Sequence, residues 1–595
     1  MKYRMMKIYL LVLALFTASF NSLALDINDP KQALEAYVQI DDGAYRYDHL
    51  VSIPGQGFTV HLYNLVSQVW RSPEEIDRTL WQHQLVIVEP AVVSSDTAML
   101  FVGDNDNDDP LPDENDIIVQ IITQLALGSQ TIVGAVYQIP NQPFYFPGDV
   151  DRYKEDDLSA YTWDKYLDTG DTTWPVHLPM TKSVVKAMDA MVDIAPSLGT
   201  YQINDFVLTG YSKRGQVTYM TAAVDPRVRA IAPGVIDVLN MVPSLESQYK
   251  AYGNYVPELD KMVELRVTNR LRTPEFADLT DIIDPYAYRD RLTMPKLLLN
   301  SSGDQFFLPD SARYYYDDLP GEKLIRYAPN TDHSLVNSNT SITDTLYTLL
   351  GWYQSILLDL PRPEINWHVE AGELVAHATI APQLVRVWRA GNPTARDFRK
   401  VTIGESWVSE IILPDANGDY RAALLQPTQG YAAAYIEFVY QGVSGLPMTF
   451  STRVYVTPDT YPFELDDPVA DPKLAYYWDQ QLDIALTTDD GEVSLAQFNS
   501  YLPMPVFDSY IDDTQQLDDW LNIGFMNHSG NGFANRNCTA MRLNVRNRQL
   551  GWYSDVDLGI LGQGKVWEFY QFADALEGYG LPVMAGLICH KINRL

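Results

Sequence analysis

The hexapeptide Gly210-Tyr211-Ser212-Lys213-Arg214-Gly215 lies between an apolar stretch at 205–209 and a stretch of helical character at 217–223. A serine on so tight a strand-to-helix turn is held above the sheet at the positive end of the helix, where its hydroxyl can act as a nucleophile. The flanking residues must be small, and the next backbone N–H, that of Lys213, can donate to an oxyanion. The usual pattern is G-x-S-x-G. Here the second glycine comes one place later and Arg214 fills its position. An ordinary strand–turn–helix junction is the plain alternative.

A serine nucleophile needs a base, and the base needs an acid to fix its tautomer. Residues 297–300 read as a strand running into Ser301-Ser302-Gly303-Asp304. The next strand, at 323–327, exits into Ala328-Pro329-Asn330-Thr331-Asp332-His333. Serine, acid and histidine thus stand in the chain order of an α/β-hydrolase, each at a strand's C-terminal end. Asp310 is a rival acid, expected instead to cap a helix beginning at Ser311. A lone loop histidine means little, but the chain has only 9, and this one follows a matching serine and aspartate. The loop after residue 102 should supply the second oxyanion donor, from the N–H of Gly103 or Asp104. Its acidic run, 104–109, suggests calcium. It lacks the glycine and terminal glutamate of an EF-hand loop, so a solvated turn and no metal are expected.

The elements that must carry these residues alternate in type. Asp29-Pro30 reads as an N-cap with proline at the first helical position. Strand-like stretches at 58–62, 85–88, 99–102, 132–136, 205–209, 230–232, 296–299 and 323–327 alternate with helical ones at 116–127, 180–192, 217–223 and 343–358. That pattern is α/β: a mostly parallel sheet with helices on both faces. The catalytic domain is expected at 25–360. Two insertions, 141–176 and 237–290, interrupt the alternation and should sit over the nucleophile as lids. They carry Phe144, Tyr145, Phe146, Tyr161, Trp163, Tyr249, Tyr252 and Tyr255, candidates for an apolar pocket or for packing alone. Glu155 or Asp156 would give that pocket a negative rim able to hold a cationic substrate group. Beyond Pro361 and Pro363 the period changes to that of half-buried strands, so 361–463 reads as a small Ig-like β-sandwich. No fold is assigned to 464–595.

The first residues bear on compartment. Lys2, Arg4 and Lys7 precede an apolar run at 8–16, and Ser22-Leu23-Ala24 offers a cleavage site, the layout of a secretory signal over 1–24. A membrane span needs about 20 apolar residues, and no segment has them. An exported, periplasmic or secreted protein is expected. Asp and Glu number 77 against 43 Lys and Arg, a net charge of −34, which argues against a nucleic-acid partner. The two cysteines, Cys538 and Cys589, should form a disulfide in an oxidising compartment. A zinc site with His528 and His590 is the alternative, without the usual ligand spacing.

Long ordered motifs resemble one family. Ser212-Lys213-Arg214-Gly215 with Thr221-Ala222-Ala223-Val224-Asp225-Pro226-Arg227-Val228 is similar to the PhoPQ-activated pathogenicity-related proteins. So are Pro140-Asn141-Gln142-Pro143, Glu155-Asp156 with Ala160-Tyr161-Thr162-Trp163, and Val235-Ile236-Asp237-Val238-Leu239-Asn240-Met241. Gly303-Asp304-Gln305-Phe306-Phe307-Leu308-Pro309-Asp310-Ser311, His333-Ser334-Leu335 and Arg396-Asp397-Phe398-Arg399 continue the likeness, which covers roughly 30–460. It implies an α/β-hydrolase domain with a β-sandwich appended, in exported proteins linked to virulence regulation in some bacteria, and it names no substrate. Lys213-Arg214 after the serine also resembles the S-R-x-G elbow of glucuronoyl esterases. A cation there could assist the oxyanion, bind a substrate carboxylate or form a structural ion pair.

Two functions follow as expectations. One is an enzyme that cleaves an ester or an amide or peptide bond through acyl-Ser212, without a cofactor. The other is a catalytically silent hydrolase fold used as a secreted binding or regulatory protein.

Overall fold

The computed structural model describes residues 25–147, 152–338 and 342–464, and the backbone of four short strands at Ala485–Thr488, Gly491–Ser494, Ala540–Asn547 and Trp552–Ile560. Residues 1–24, where a leader is expected, and Cys538, Cys589, His528 and His590 lie outside the described residues.

Helix α1 (Pro30–Val38) starts as its sequence demands, with the Asp29 carboxylate accepting from Lys31 N–H and proline at N1. Strands β1 (Arg46–Gly55), β2 (Phe58–Val69) and β3 (Leu80–Pro90) form an antiparallel meander. The chain then crosses into β4 (Thr97–Val102), α2 (Ile117–Ser129) and β5 (Val133–Val136), with β5 inserted between β3 and β4. From there β6 (Asp205–Tyr211), β7 (Val228–Gly234), β8 (Lys296–Ser301) and β9 (Lys323–Ala328) add in parallel. The order β1-β2-β3-β5-β4-β6-β7-β8-β9 is that of an α/β-hydrolase. Every residue of β4, β5 and β8 is buried. Strands covered on both faces must be apolar throughout, which is why they read as continuous runs. One core holds α4 (His177–Leu198) and α5 (Lys213–Val224); the other holds α2 and α9 (Thr343–Leu357).

The first insertion supplies α3 (Glu155–Thr169), and the second supplies α6 (Met241–Tyr252), α7 (Asp260–Glu264) and α8 (Pro274–Ile283). Helix α3 packs against α7 and α8, so the two insertions make one cap.

The region after residue 361 differs from a sandwich standing apart. Strands β10 (Ile365–Glu370), β11 (Glu373–Ala378) and β14 (Tyr420–Ala423) form a separate antiparallel sheet. Strands β12 (Leu384–Asn392), β13 (Val408–Ile411), β15 (Tyr431–Gln441), β16 (Pro447–Ser451) and β17 (Tyr455–Thr457), however, continue the main sheet to 14 strands. The junction is Ser451 against Ile325, reinforced by Tyr327 N–H donating to Ser451 Oγ at 3.1 Å. Strand β9 would otherwise leave its backbone groups unpaired at an open edge, and β16 covers them.

Asp310 does not cap the turn at Ser311. Its carboxylate instead accepts from Arg396 Nη2 at 2.7 Å, both side chains being almost wholly buried, and Arg313 stands at 3.4 Å. A buried guanidinium needs a carboxylate more than one 3₁₀ turn needs a cap. Arg396→Ala is expected to destabilise the protein by about 3 kcal/mol, because it strands a buried charge, while Asp310→Leu with Arg396→Met recovers most of that loss. Urea unfolding midpoints measure both; an unchanged midpoint for Arg396→Ala would show that the pair holds nothing.

Candidate active site

Ser212 sits between β6 and α5 with φ 56° and ψ −130°, a backbone conformation strained for a non-glycine residue. The neighbouring glycines show what the turn demands. A Cβ on Gly210 would lie 2.8 Å from Arg214 O, and one on Gly215 would lie 3.0 Å from both Gly210 O and Gly234 O. The helix backbone lies against the strand end at both 214 and 215, but it is at 215 that a side chain would run into the strand-end carbonyls, whereas the Arg214 side chain leads away to Glu155. That is the physical reason for the displaced glycine and for the tolerance of arginine at 214.

Asp304 follows β8 and His333 follows β9. Both Asp304 oxygens lie within 3.0 Å of His333 Nδ1, and Oδ1 also accepts from Phe306 N–H at 2.7 Å. This arrangement assigns the proton to Nδ1 and leaves Nε2 as the basic nitrogen. Nε2 is buried and without a partner. Ser212 and His333 line the same cleft, though no hydrogen bond joins them; such bonds commonly tighten when substrate arrives. Gln305 Oε1 accepts from His333 N–H at 3.0 Å. The loop at 393–407 grips both partner loops from behind. Lys400 N–H donates to Gly303 O at 2.9 Å, Asn330 and Trp407 exchange two bonds at 2.8 and 2.9 Å, and Lys400 Nζ donates to Val336 O at 3.0 Å. Asp237 is buried nearby, accepting from Tyr315 and Tyr327 hydroxyls at 2.7 and 2.6 Å. Burial, with the Asp304 charge, pushes it up to about 7.

The oxyanion assignment at Gly103 needs correction. Its N–H already donates to Val136 O at 2.8 Å, as the register of β4 beside β5 requires. The N–H groups of Asp104 and of Lys213, the first residue of α5, make no such bond.

Glu155 and Asp156 are not an open negative rim. Glu155 accepts from both Arg214 Nη1 and Nη2 at 2.6 Å, from Lys213 Nζ at 2.6 Å and from Gln142 Nε2 at 2.6 Å. Asp156 stands 3.2 Å from Lys213 Nζ. Arg214 is held further by Ile139 O at 2.5 Å, so the ion pair is structural and the guanidinium is not offered to substrate. Burial alone would raise the Glu155 carboxyl, but the charges of Arg214 and Lys213 outweigh it and hold the group well below its ordinary value. The acidic loop is likewise taken up in ion pairs, Asp106 with Lys154 at 2.8 Å and Asp108 with Arg152 at 2.7 Å.

Two cavities meet at Ser212. One lies under the cap of α3, α6 and α7, with walls that include Trp163, Ile236, Met241, Leu245, Met262 and Phe307. The other is an open cleft of ≈ 550 Å³ that includes Tyr211, Asp104 and His333. Trp163 thus reaches a cavity, whereas Tyr161 does not: it stacks on Phe146 at 3.8 Å and packs the insertion. Tyr249 packs on Tyr255, and Tyr252 lies under Arg399. The aromatic wall comes instead from Phe306 and Phe307, unremarked beside Asp304 in sequence. Phe306 lies 4.2 Å from the His333 ring. His177 was also missed. Its ring accepts from Trp163 Nε1 at 3.4 Å, and burial, with the Lys213 charge, depresses it to about 3, so it is a neutral wall.

The chain matches the family described as PhoPQ-activated pathogenicity-related protein over residues 34–399. It is 33% identical over 487 residues to autocrine proliferation repressor protein A of Dictyostelium discoideum, covering 77% of this chain and 95% of that one. Among solved structures it is similar to acetyl xylan esterase 1 from Thermoanaerobacterium sp. JW/SL YS485, at 14% identity and TM-score 0.34, covering 52% of this chain and 88% of that one. It is also similar to an S-formylglutathione hydrolase from Agrobacterium tumefaciens, at 12% identity and TM-score 0.34, covering 52% and 99%.

The Glu155 cluster carries a pH dependence. Its folded-state pKa lies below the unfolded one, so its stabilisation is present above the ordinary value of 4.5 and is lost as pH falls through the folded value. The side chain is 37% exposed, so Glu155→Gln should cost roughly 2 kcal/mol at pH 7, less than the ~3–5 kcal/mol of a fully buried pair. The cost should shrink below pH 4. Denaturation at pH 7 and pH 3.5 reads this out, and an equal loss at both would refute the electrostatic account.

Proposed function

The chain belongs to the PhoPQ-activated pathogenicity-related protein family, and from that premise we propose that it is an exported serine hydrolase acting through an acyl-Ser212 intermediate on an ester or amide bond. One observation carries the reading. His333, paired with Asp304 through Nδ1 and with Nε2 unpartnered among the described residues, lines the same cleft as Ser212, and Ser212 holds a strained backbone conformation at a helix N-terminus.

In this reading His333 Nε2 takes the Ser212 proton as Oγ attacks the carbonyl carbon, and Asp304 stabilises the imidazolium without itself taking the proton. The tetrahedral oxyanion receives the N–H groups of Lys213 and Asp104, with the α5 dipole behind the first. His333 then protonates the leaving oxygen or nitrogen, and water attacks the acyl-enzyme by the same base. The substrate class is a small-molecule ester or a peptide. A preference for cations is not favoured, since Glu155 is already saturated by Arg214 and Lys213. The name of the Dictyostelium relative suggests a second reading, a secreted regulator of growth. The two readings separate on Ser212 reactivity.

Ser212→Ala and His333→Ala are expected to lower kcat/KM on p-nitrophenyl acetate by about 10⁴–10⁶, and Asp304→Asn by about 10⁴, with the fold intact by circular dichroism. A fluorophosphonate should label the wild type and not Ser212→Ala. A wild type that resists the label and hydrolyses no ester would leave the silent-fold reading standing.

A further inference from the structure

Resting on the acyl-serine reading, we infer that the small cavity under the cap is the acyl subsite and the larger cleft the leaving-group site, which makes the substrate class esters of short, uncharged aliphatic acids with a bulkier alcohol. The assignment of sides follows from His333. The general acid must reach the leaving atom, so the leaving group lies on the histidine's side of the serine. His333 lines the larger cleft and is not among the residues lining the cavity under the cap. The acyl carbon therefore carries its substituent into the other space.

That space is small and apolar. It offers ≈ 60 Å³ to the centre of a water-sized sphere. On the same measure the cleft offers ≈ 550 Å³, roughly nine times as much, so the smaller space suits a short chain of carbons and not a long one. The polar side chains around it are mostly spoken for. Gln216 donates to Ile283 O at 2.8 Å, Gln248 to Phe306 O at 2.5 Å, Ser244 to Leu239 O at 3.2 Å, and His177 stays neutral. A charged group entering there would be desolvated against satisfied neighbours. Lys213 at the mouth is neutralised by Glu155 and Asp156. The cleft, at ≈ 550 Å³ and open to solvent, has room for a large alcohol.

The acyl step balances simply. Ser212 Oγ forms an ester to the acyl carbon, the alcohol oxygen leaves with the proton carried by His333, and water later releases the free acid.

The test is a p-nitrophenyl ester series (acetyl, butyryl, octanoyl) on wild type, Val238→Trp and Met262→Ala, with fluorophosphonate labelling of each. Of the two spaces, Val238 and Met262 line only the cavity under the cap. In the wild type kcat/KM should fall at least about 30-fold from butyryl to octanoyl. Val238→Trp should lose butyryl relative to acetyl by about 10-fold, and Met262→Ala should raise octanoyl relative to butyryl by a similar factor. A flat chain-length profile in a wild type that labels at Ser212, unmoved by either variant, would overturn the subsite assignment alone. A wild type that does not label would overturn it together with the serine mechanism.

Discussion

Two carboxylates, Glu155 and Asp156, neutralise the charge that the turn after Ser212 creates. Lys213 and Arg214 place two cations in the first turn of α5, where the helix dipole is already positive and both side chains are buried. Glu155 meets both, through a fork to Arg214 and a single bond to Lys213. Because Glu155 opens α3, the same contact fixes the cap over the nucleophile, with its own acid favourably placed at a helix N-terminus. The cap's position, the tolerance of arginine beside the serine and the neutral mouth of the cavity under the cap all depend on that contact.

The second constraint acts from the other end of the sheet. Asp304 and His333 stand on loops, which are mobile unless something holds them. Here the holding comes from the β-rich region, whose strand β16 covers β9 and whose 393–407 loop bonds to the backbone or side chains of both loops. Arg396 locks the attachment by pairing its buried charge with Asp310, and losing either partner would strand the other. The appended strands thus belong to the scaffold that holds the proposed site, and a boundary drawn near residue 361 would cut through one sheet.

Much of this was legible in the sequence where a local rule governed. Apolar runs at 99–102, 132–136 and 296–299 are buried on both faces, so pattern alone places them. Asp29-Pro30 and Asp116 act as caps because capping is decided within four residues. The order of Ser212, Asp304 and His333 could be read because each follows a strand. What could not be read depends on partners far away in the chain. Strand β1 is exposed along nearly its whole length and lacks a periodic signal. Asp310 has every local feature of a cap and is claimed by Arg396, 86 residues on. Tyr161 and Phe307 are equally aromatic, and only the cap's fold decides which one reaches a cavity.

The charge balance around Ser212 also bears on how an oxyanion would be held. A lysine and an arginine beside a nucleophile suggest direct cationic help, but both are turned toward Glu155 and compensated there. In the serine-hydrolase reading, what remains for the reacting carbonyl is backbone: the N–H of Lys213 at the start of α5 and that of Asp104 after β4, which have no backbone partner among the described residues. Backbone donors are fixed by the sheet and helix that carry them and need no reorganisation when charge develops. Gly215 lets α5 approach the ends of β6 and β7 closely, and the β4–β5 register occupies Gly103 and leaves Asp104. On the proposed reading the two cations serve the geometry of the turn, and stabilisation of developing charge falls to the main chain.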